Sequence, residues 1–127
     1  MSRIVLDAGA LIALERGDRP MWATLKKTAL EGGEVIIPSA PLAQVWRGTS
    51  SQAALVLAMR HGVIASFDAI AREIGELCGR AKTSDVCDAQ VAIVAAMRGD
   101  FVYTSDPNDI RRLLLAHGRR IPGIVRC

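Results

Sequence analysis

A three-layer α/β fold, with a mostly parallel sheet between helices on both faces, is predicted by three observations. Short β-branched and aliphatic runs at residues 4–6, 35–37, 63–65 and 101–103 have the pattern of buried strands. The segments between them carry helical spacing, and alternating strands and helices require crossover connections and hence parallel pairing. One helical segment, residues 86–97, is apolar on nearly every side, as expected of a helix enclosed by protein. At 127 residues the chain matches one domain spanning 1–127, long enough to bury roughly two-thirds of its unfolded surface.

Taken in order, the strand at 4–6 runs into Asp7 and a short Leu6-Asp7-Ala8-Gly9 connection. Trp22, Leu25 and Ala29 mark an early helix ended by Gly32-Gly33, and the second strand follows. Leu42, Val45 and Trp46 mark another helix, ended by Gly48, and residues 53–59 form an apolar helical stretch before the third strand. Phe67, Ile70, Ala71, Ile74, Leu77 and Cys78 recur at helical spacing, with Arg72, Glu73, Glu76 and Arg80 opposite, so that helix borders solvent. After the enclosed helix and the fourth strand, Ile110, Leu113 and Leu114 mark a last helix stopped at Gly118.

The composition excludes several classes. With 50% apolar and 23% charged residues the chain is expected to fold rather than remain disordered. Residues 4–6 are too short for a signal-peptide core, and stretches such as 91–97 fall far below the ~18 residues of a membrane span. A cytoplasmic protein is therefore expected. Cys78, Cys87 and Cys127 are odd in number and widely spaced, so they read as plain thiols and not as a zinc site or disulfide framework. The net charge of +3 is compatible with nucleic acid but is equally a solubility feature.

In parallel sheets, residues just after the strands' carboxyl ends converge on a shared crevice. Asp7 follows the first strand, Asp106 follows the fourth after Thr104-Ser105, and Asp88 begins the enclosed helix, so three acids point toward one edge. Such a cluster repels itself unless a cation neutralises it or protons are taken up. Oxygen ligands without His or Cys favour Mg²⁺ or Mn²⁺ over zinc. Capping explains each acid singly: Asp106 precedes Pro107 with Asp109 in the first turn, and Asp85 and Asp88 repeat the spacing. Capping does not predict that Asp7 joins them, and a capping role and a ligand role are compatible.

Four blocks resemble the PIN-domain nucleases, specifically the VapC-type ribonuclease toxins of toxin–antitoxin modules. They are Ile4-Val5-Leu6-Asp7-Ala8-Gly9-Ala10-Leu11, Leu42-Ala43-Gln44-Val45-Trp46-Arg47-Gly48, Asp88-Ala89-Gln90-Val91-Ala92 and Tyr103-Thr104-Ser105-Asp106-Pro107-Asn108-Asp109-Ile110. The resemblance covers nearly the whole chain. It implies a PIN-like domain with a central parallel five-stranded sheet whose last strand holds Ile124-Val125. It also implies a magnesium- or manganese-dependent hydrolase in which Asp7, Asp88 and Asp106 are catalytic and hold the metal, with Asp109 as a further ligand or water contact. The metal would activate water toward an RNA phosphodiester. Thr104 and Ser105 would position water or phosphate, a role that competes with capping.

One departure stands out. Where the family carries a glutamate this chain has Gln44, which can hydrogen-bond a metal's water but supplies no charge and cannot act as a base. Glu31 and Glu34 lie at the wrong end of the second strand, and Asp85, one turn from Asp88, is the candidate to compensate. By resemblance, Trp22 and Trp46 border the groove of a cognate antitoxin, and the helix at 53–59 would face a second subunit of a homodimer; core packing explains each equally. The implied function is a toxin of a type II module, neutralised by its antitoxin. The alternatives are a catalytically weakened RNA- or antitoxin-binding module, and a small-molecule-binding domain whose acids are only caps.

Overall fold

A computed structural model describes residues 2–127. Five strands, β1 (Arg3–Leu6), β2 (Glu34–Pro38), β3 (Gly62–Ala65), β4 (Phe101–Thr104) and β5 (Gly123–Arg126), form one sheet in the order β3-β2-β1-β4-β5. Every neighbouring pair is parallel, as the strand–helix alternation required. Four strands fall where the aliphatic runs placed them, and β5 holds Ile124-Val125 as the resemblance implied; β3 is not the buried strand expected, because at the sheet edge Val63 and Ile64 are exposed. Gly32 closes the helix before β2 at φ +74°, and Gly33 donates to the Thr28 carbonyl, which turns the chain into β2.

The helices are α1 (Ala8–Glu15), α2 (Arg19–Leu30), α3 (Ser39–Val45), α4 (Ala53–Met59), α5 (Ala71–Ala81), α6 (Val86–Arg98) and α7 (Pro107–His117). Strand alternation splits the core into two. Val5, Ile36 and Val102 face one side of the sheet, where α5, α6 and α7 cover them. Ile4, Leu6, Val35 and Ile37 face the other, against α1, α2 and α4. In α6, all eight residues from Ala89 to Ala96 are buried, which fits its lack of a polar stripe. Among the described residues no helix is long and apolar enough to cross a membrane.

Two expectations are corrected. The stretch after Asp7 is not a short connection: it is α1, with Asp7 as its N-cap. The turn-like Ala8-Gly9 pair hid it, and Gly9 is there because α1 passes against the β4–α7 turn, where an added Cβ would come within 3.0 Å of the Ser105 nitrogen. Trp46 is not in α3, which ends at Val45; Trp46 is extended, at φ −66° and ψ 132°, and Gly48 turns at φ +72°.

Candidate metal centre

Three helices, α1, α6 and α7, begin at the carboxyl edge of the sheet, and each begins with an aspartate cap. Asp7 accepts from the Ala10 amide at 2.9 Å, Asp85 from Asp88 at 3.0 Å, and Asp106 from Asp109 at 3.5 Å. Each of these cap bonds uses one carboxylate oxygen. The positive ends of three helix dipoles meet here and partly offset the repulsion between the acids.

Asp7 is only 5% exposed. Burial pushes its carboxyl above the ordinary value, opposed by hydrogen bonds from the Thr104 hydroxyl and the amides of Ala10, Ser105 and Gly9. Thr104 is fully buried, and its hydroxyl oxygen also accepts from the Asp106 amide at 2.9 Å. It therefore ties the loop of Asp106 to Asp7. Ser105, beside it, is exposed.

Asp88 is half-buried, and its carboxyl is pushed up to about 7 by burial first, then by Asp85, Asp7 and Asp109. Asp109, exposed, is raised chiefly by Asp106. Asp88 thus senses the charges of Asp85, Asp7 and Asp109, and Asp109 those of Asp106 and Asp85. The thiols of Cys78, Cys87 and Cys127 are all raised, by burial and then by these and neighbouring aspartates, so they offer protonated sulfur and not thiolate near neutral pH.

The donor chemistry fits a hard dication: the donors are all oxygen, and their mutual repulsion would be relieved by positive charge. Among the described residues no three Asp, Glu, His or Cys side chains already surround one point. Mg²⁺ does not need such a cage, because it is commonly held by one or two carboxylates together with water and substrate phosphates.

Gln44 is exposed on α3 and lines, with Ala8 of α1, a cavity of about 610 Å³ that starts beside the acids. The carboxylate nearest in kind, Glu15, lies at the far end of α1, and Glu34 pairs with Arg98 at 3.1 Å at the opposite edge of the sheet. Two buried glutamines went unassigned in the sequence. Gln90, fully buried in α6, accepts from the Ala40 amide at 2.8 Å and donates to the Ala65 carbonyl at 3.0 Å. Gln52 accepts from the Arg47 and Gly48 amides and donates to Val45 and Glu15. For Gln90 the signal was an amide inside an apolar helical run, where an unsatisfied one would be costly; Gln52, in the polar turn Ser50–Gln52, carried no such signal.

Of the two tryptophans, Trp22 is half-buried and its indole N–H donates to the Leu14 carbonyl at 2.9 Å, whereas Trp46 is 39% exposed. The helix α4 buries Leu55 and Ala58 but leaves Val56 and Leu57 outside, next to exposed Val63 and Ile64 of edge strand β3.

No family model matches this sequence, and a search of curated proteins found no match. Among solved structures, the chain is similar to one in the crystal structure of VapBC2 from Rickettsia felis bound to a DNA fragment from their promoter, with a TM-score of 0.72, 15% identity and 98% of each chain covered. At that identity the likeness is one of fold, and it extends over the whole architecture. The five-stranded parallel sheet with its flanking helices is the PIN-like fold that the four sequence blocks anticipated.

Proposed function

We propose that this chain is a metal-dependent endoribonuclease, the toxin of a type II toxin–antitoxin pair. The observation that carries the reading is that α1, α6 and α7 all begin with aspartate caps at the carboxyl edge of a parallel sheet, where Asp7, Asp85 and Asp109 are close enough to raise the carboxyl of Asp88. The toxin–antitoxin assignment is supported by the four sequence blocks together with the likeness to a chain of VapBC2.

Asp7, Asp88 and Asp106 would hold Mg²⁺ or Mn²⁺, with Asp109 at its margin. Bound there, the ion would supply charge stabilisation at the phosphate and an acidified water. Asp7 is fixed by four donors and cannot swing away. Asp88, whose carboxyl is pushed up to about 7 by burial and neighbouring acids, would bind the cation in competition with a proton. Thr104 keeps the Asp7 and Asp106 loops in register. A cytoplasmic homodimer is part of the proposal, supported by exposed Val56, Leu57, Val63 and Ile64; the antitoxin would cover the acids and the groove near Trp46.

Purified protein should cleave RNA with Mg²⁺ or Mn²⁺, stop with chelator, and lose about a hundredfold or more of its rate in Asp7→Asn and in Asp88→Asn. Undiminished cleavage by both variants sinks the assignment. A second reading, a weakened module that grips RNA or antitoxin, is favoured by the absence of a carboxylate at Gln44. Calorimetry showing no metal binding at all would instead leave the acids as helix caps.

A further inference from the structure

The cavity of about 610 Å³ that begins at Ala8 and Gln44 runs along α1 to Arg16 and Arg47. An eight-residue helix is about 12 Å long. A nucleic-acid strand advances about 3.4 Å per nucleotide in a duplex and further when extended. The cleft therefore accommodates two or three nucleotides leading away from the acids.

Its charges suit a phosphate backbone. Arg16 and Arg47 are both exposed, and among the described residues neither is in an ion pair. Glu15, the acid in the lining, has its Oε1 tied to Gln52 Nε2 at 2.6 Å. Gln52 also receives the Arg47 amide at 2.8 Å, so the floor and the base of the arginine are fixed together. Arg47 Nη1 donates to the Trp46 carbonyl at 2.7 Å, which orients the guanidinium. Hydroxyls of Thr49 and Ser51 line the same wall. Two arginines against one glutamate leave the lining net positive, and a glutamate at position 44 would cancel that excess.

The geometry points to this cleft as the subsite for the RNA phosphates on one side of the scissile bond, gripped by Arg16 and Arg47 and kept anion-accepting by Gln44. It rests on the ribonuclease reading and adds to it the path of the substrate strand. The amide at position 44 trades a metal ligand for a better passage for phosphate.

The test is fluorescence anisotropy of a labelled single-stranded RNA on metal-free protein over a range of salt. The proteins are the wild type, Arg16→Ala/Arg47→Ala, Arg16→Lys/Arg47→Lys, and Arg111→Ala, an exposed arginine on α7 outside the cleft. Each lost phosphate contact should lower the slope of log affinity against log salt by about 0.7, so the double alanine variant should lose about twice that and bind on the order of tenfold more weakly. The lysine pair should keep the slope, Arg111→Ala should match wild type, and an unchanged melting temperature should show that the fold survives. Wild-type affinity and slope in the double alanine variant overturn the subsite while leaving the ribonuclease reading intact. Loss of binding to an antitoxin-derived peptide, with RNA binding unchanged, makes the cleft a peptide groove and overturns it equally. No RNA binding by the wild type also overturns the subsite, while the ribonuclease reading is decided separately by cleavage with Mg²⁺ or Mn²⁺.

Discussion

The two flanks of the sheet's carboxyl edge are built on opposite principles. On one side α6 is enclosed on every face from Ala89 to Ala96, and apolar packing holds Asp88 among other acids. On the other, α3 has Pro41 as its one buried residue and lacks a side-chain cap at its start. It is held from outside by amides: Gln90 takes the Ala40 N–H at one end, and Gln52 takes the Val45 carbonyl and Arg47 N–H at the other. The first flank accumulates negative charge in a rigid frame, whereas the second carries arginines on a polar, adjustable one. On the proposed reading, such an edge would set a place for a cation next to a place for an anion.

The acid flank responds most strongly to pH. Asp88 has its folded value raised to about 7 from 3.8, so the fold disfavours its charged form. The metal-free protein is therefore most stable with respect to this group below its unfolded value, and loses that stability as pH rises through about 7. Asp88→Asn should raise the melting temperature of metal-free protein most at pH 8, by less at pH 5, and little at about pH 3.5, below the unfolded value of the aspartate. Because the cation displaces the proton, Mn²⁺ affinity should climb on the order of a hundredfold from pH 5 to pH 8, with proton release seen by calorimetry in buffers of different ionisation enthalpy. A flat affinity profile would mean that Asp88 does not face the metal.

That contrast also decides what the sequence disclosed. β1 and β2 were legible as apolar runs buried between helix layers, β3 and β4 as β-branched or aromatic runs of the same kind although Val63 and Ile64 are exposed at the sheet edge, and α6 because a helix without a polar face has only one place to go. That Asp7 and Asp106 follow strands and Asp88 lies in the first turn of a helix at the same sheet edge was legible because strand ends in a parallel sheet share an edge. The helix α1 was not, since Ala8-Gly9 has the local appearance of a turn and an almost uniformly apolar stretch carries no helical periodicity. The charge coupling among the acids, Thr104 between two of them, and the amide clamps on α3 all depend on contacts between residues far apart in sequence. Local spacing does not encode such contacts.

The clamp at Gln90 is the next place to separate the flanks. Gln90→Met keeps the volume but leaves the Ala40 amide and the Ala65 carbonyl without their partner, which costs about 1–3 kcal/mol for each group that finds no water. A lower melting temperature is expected, together with faster amide exchange in α3 and unchanged exchange across the middle of α6. Equal loosening of both helices would show that the residue serves the core in general and not the placement of α3.

Gln44→Glu should have the smallest effect on the fold, because the side chain is exposed, yet it is the substitution that sets the two flanks against each other. Carried to position 44, a carboxylate extends the acid flank across the edge: metal affinity should rise, and the maximal rate should rise with it if the native chain is held back by its amide. The same charge cancels the excess of Arg16 and Arg47 over Glu15, so KM for RNA should rise as well, by a few fold at low salt and less at high salt, where the Debye length shortens. A higher kcat with an unchanged KM would place the strand outside the cleft. Unchanged values of both would show that the aspartates on the α6 flank already suffice and that the amide at position 44 stands apart from metal and phosphate alike.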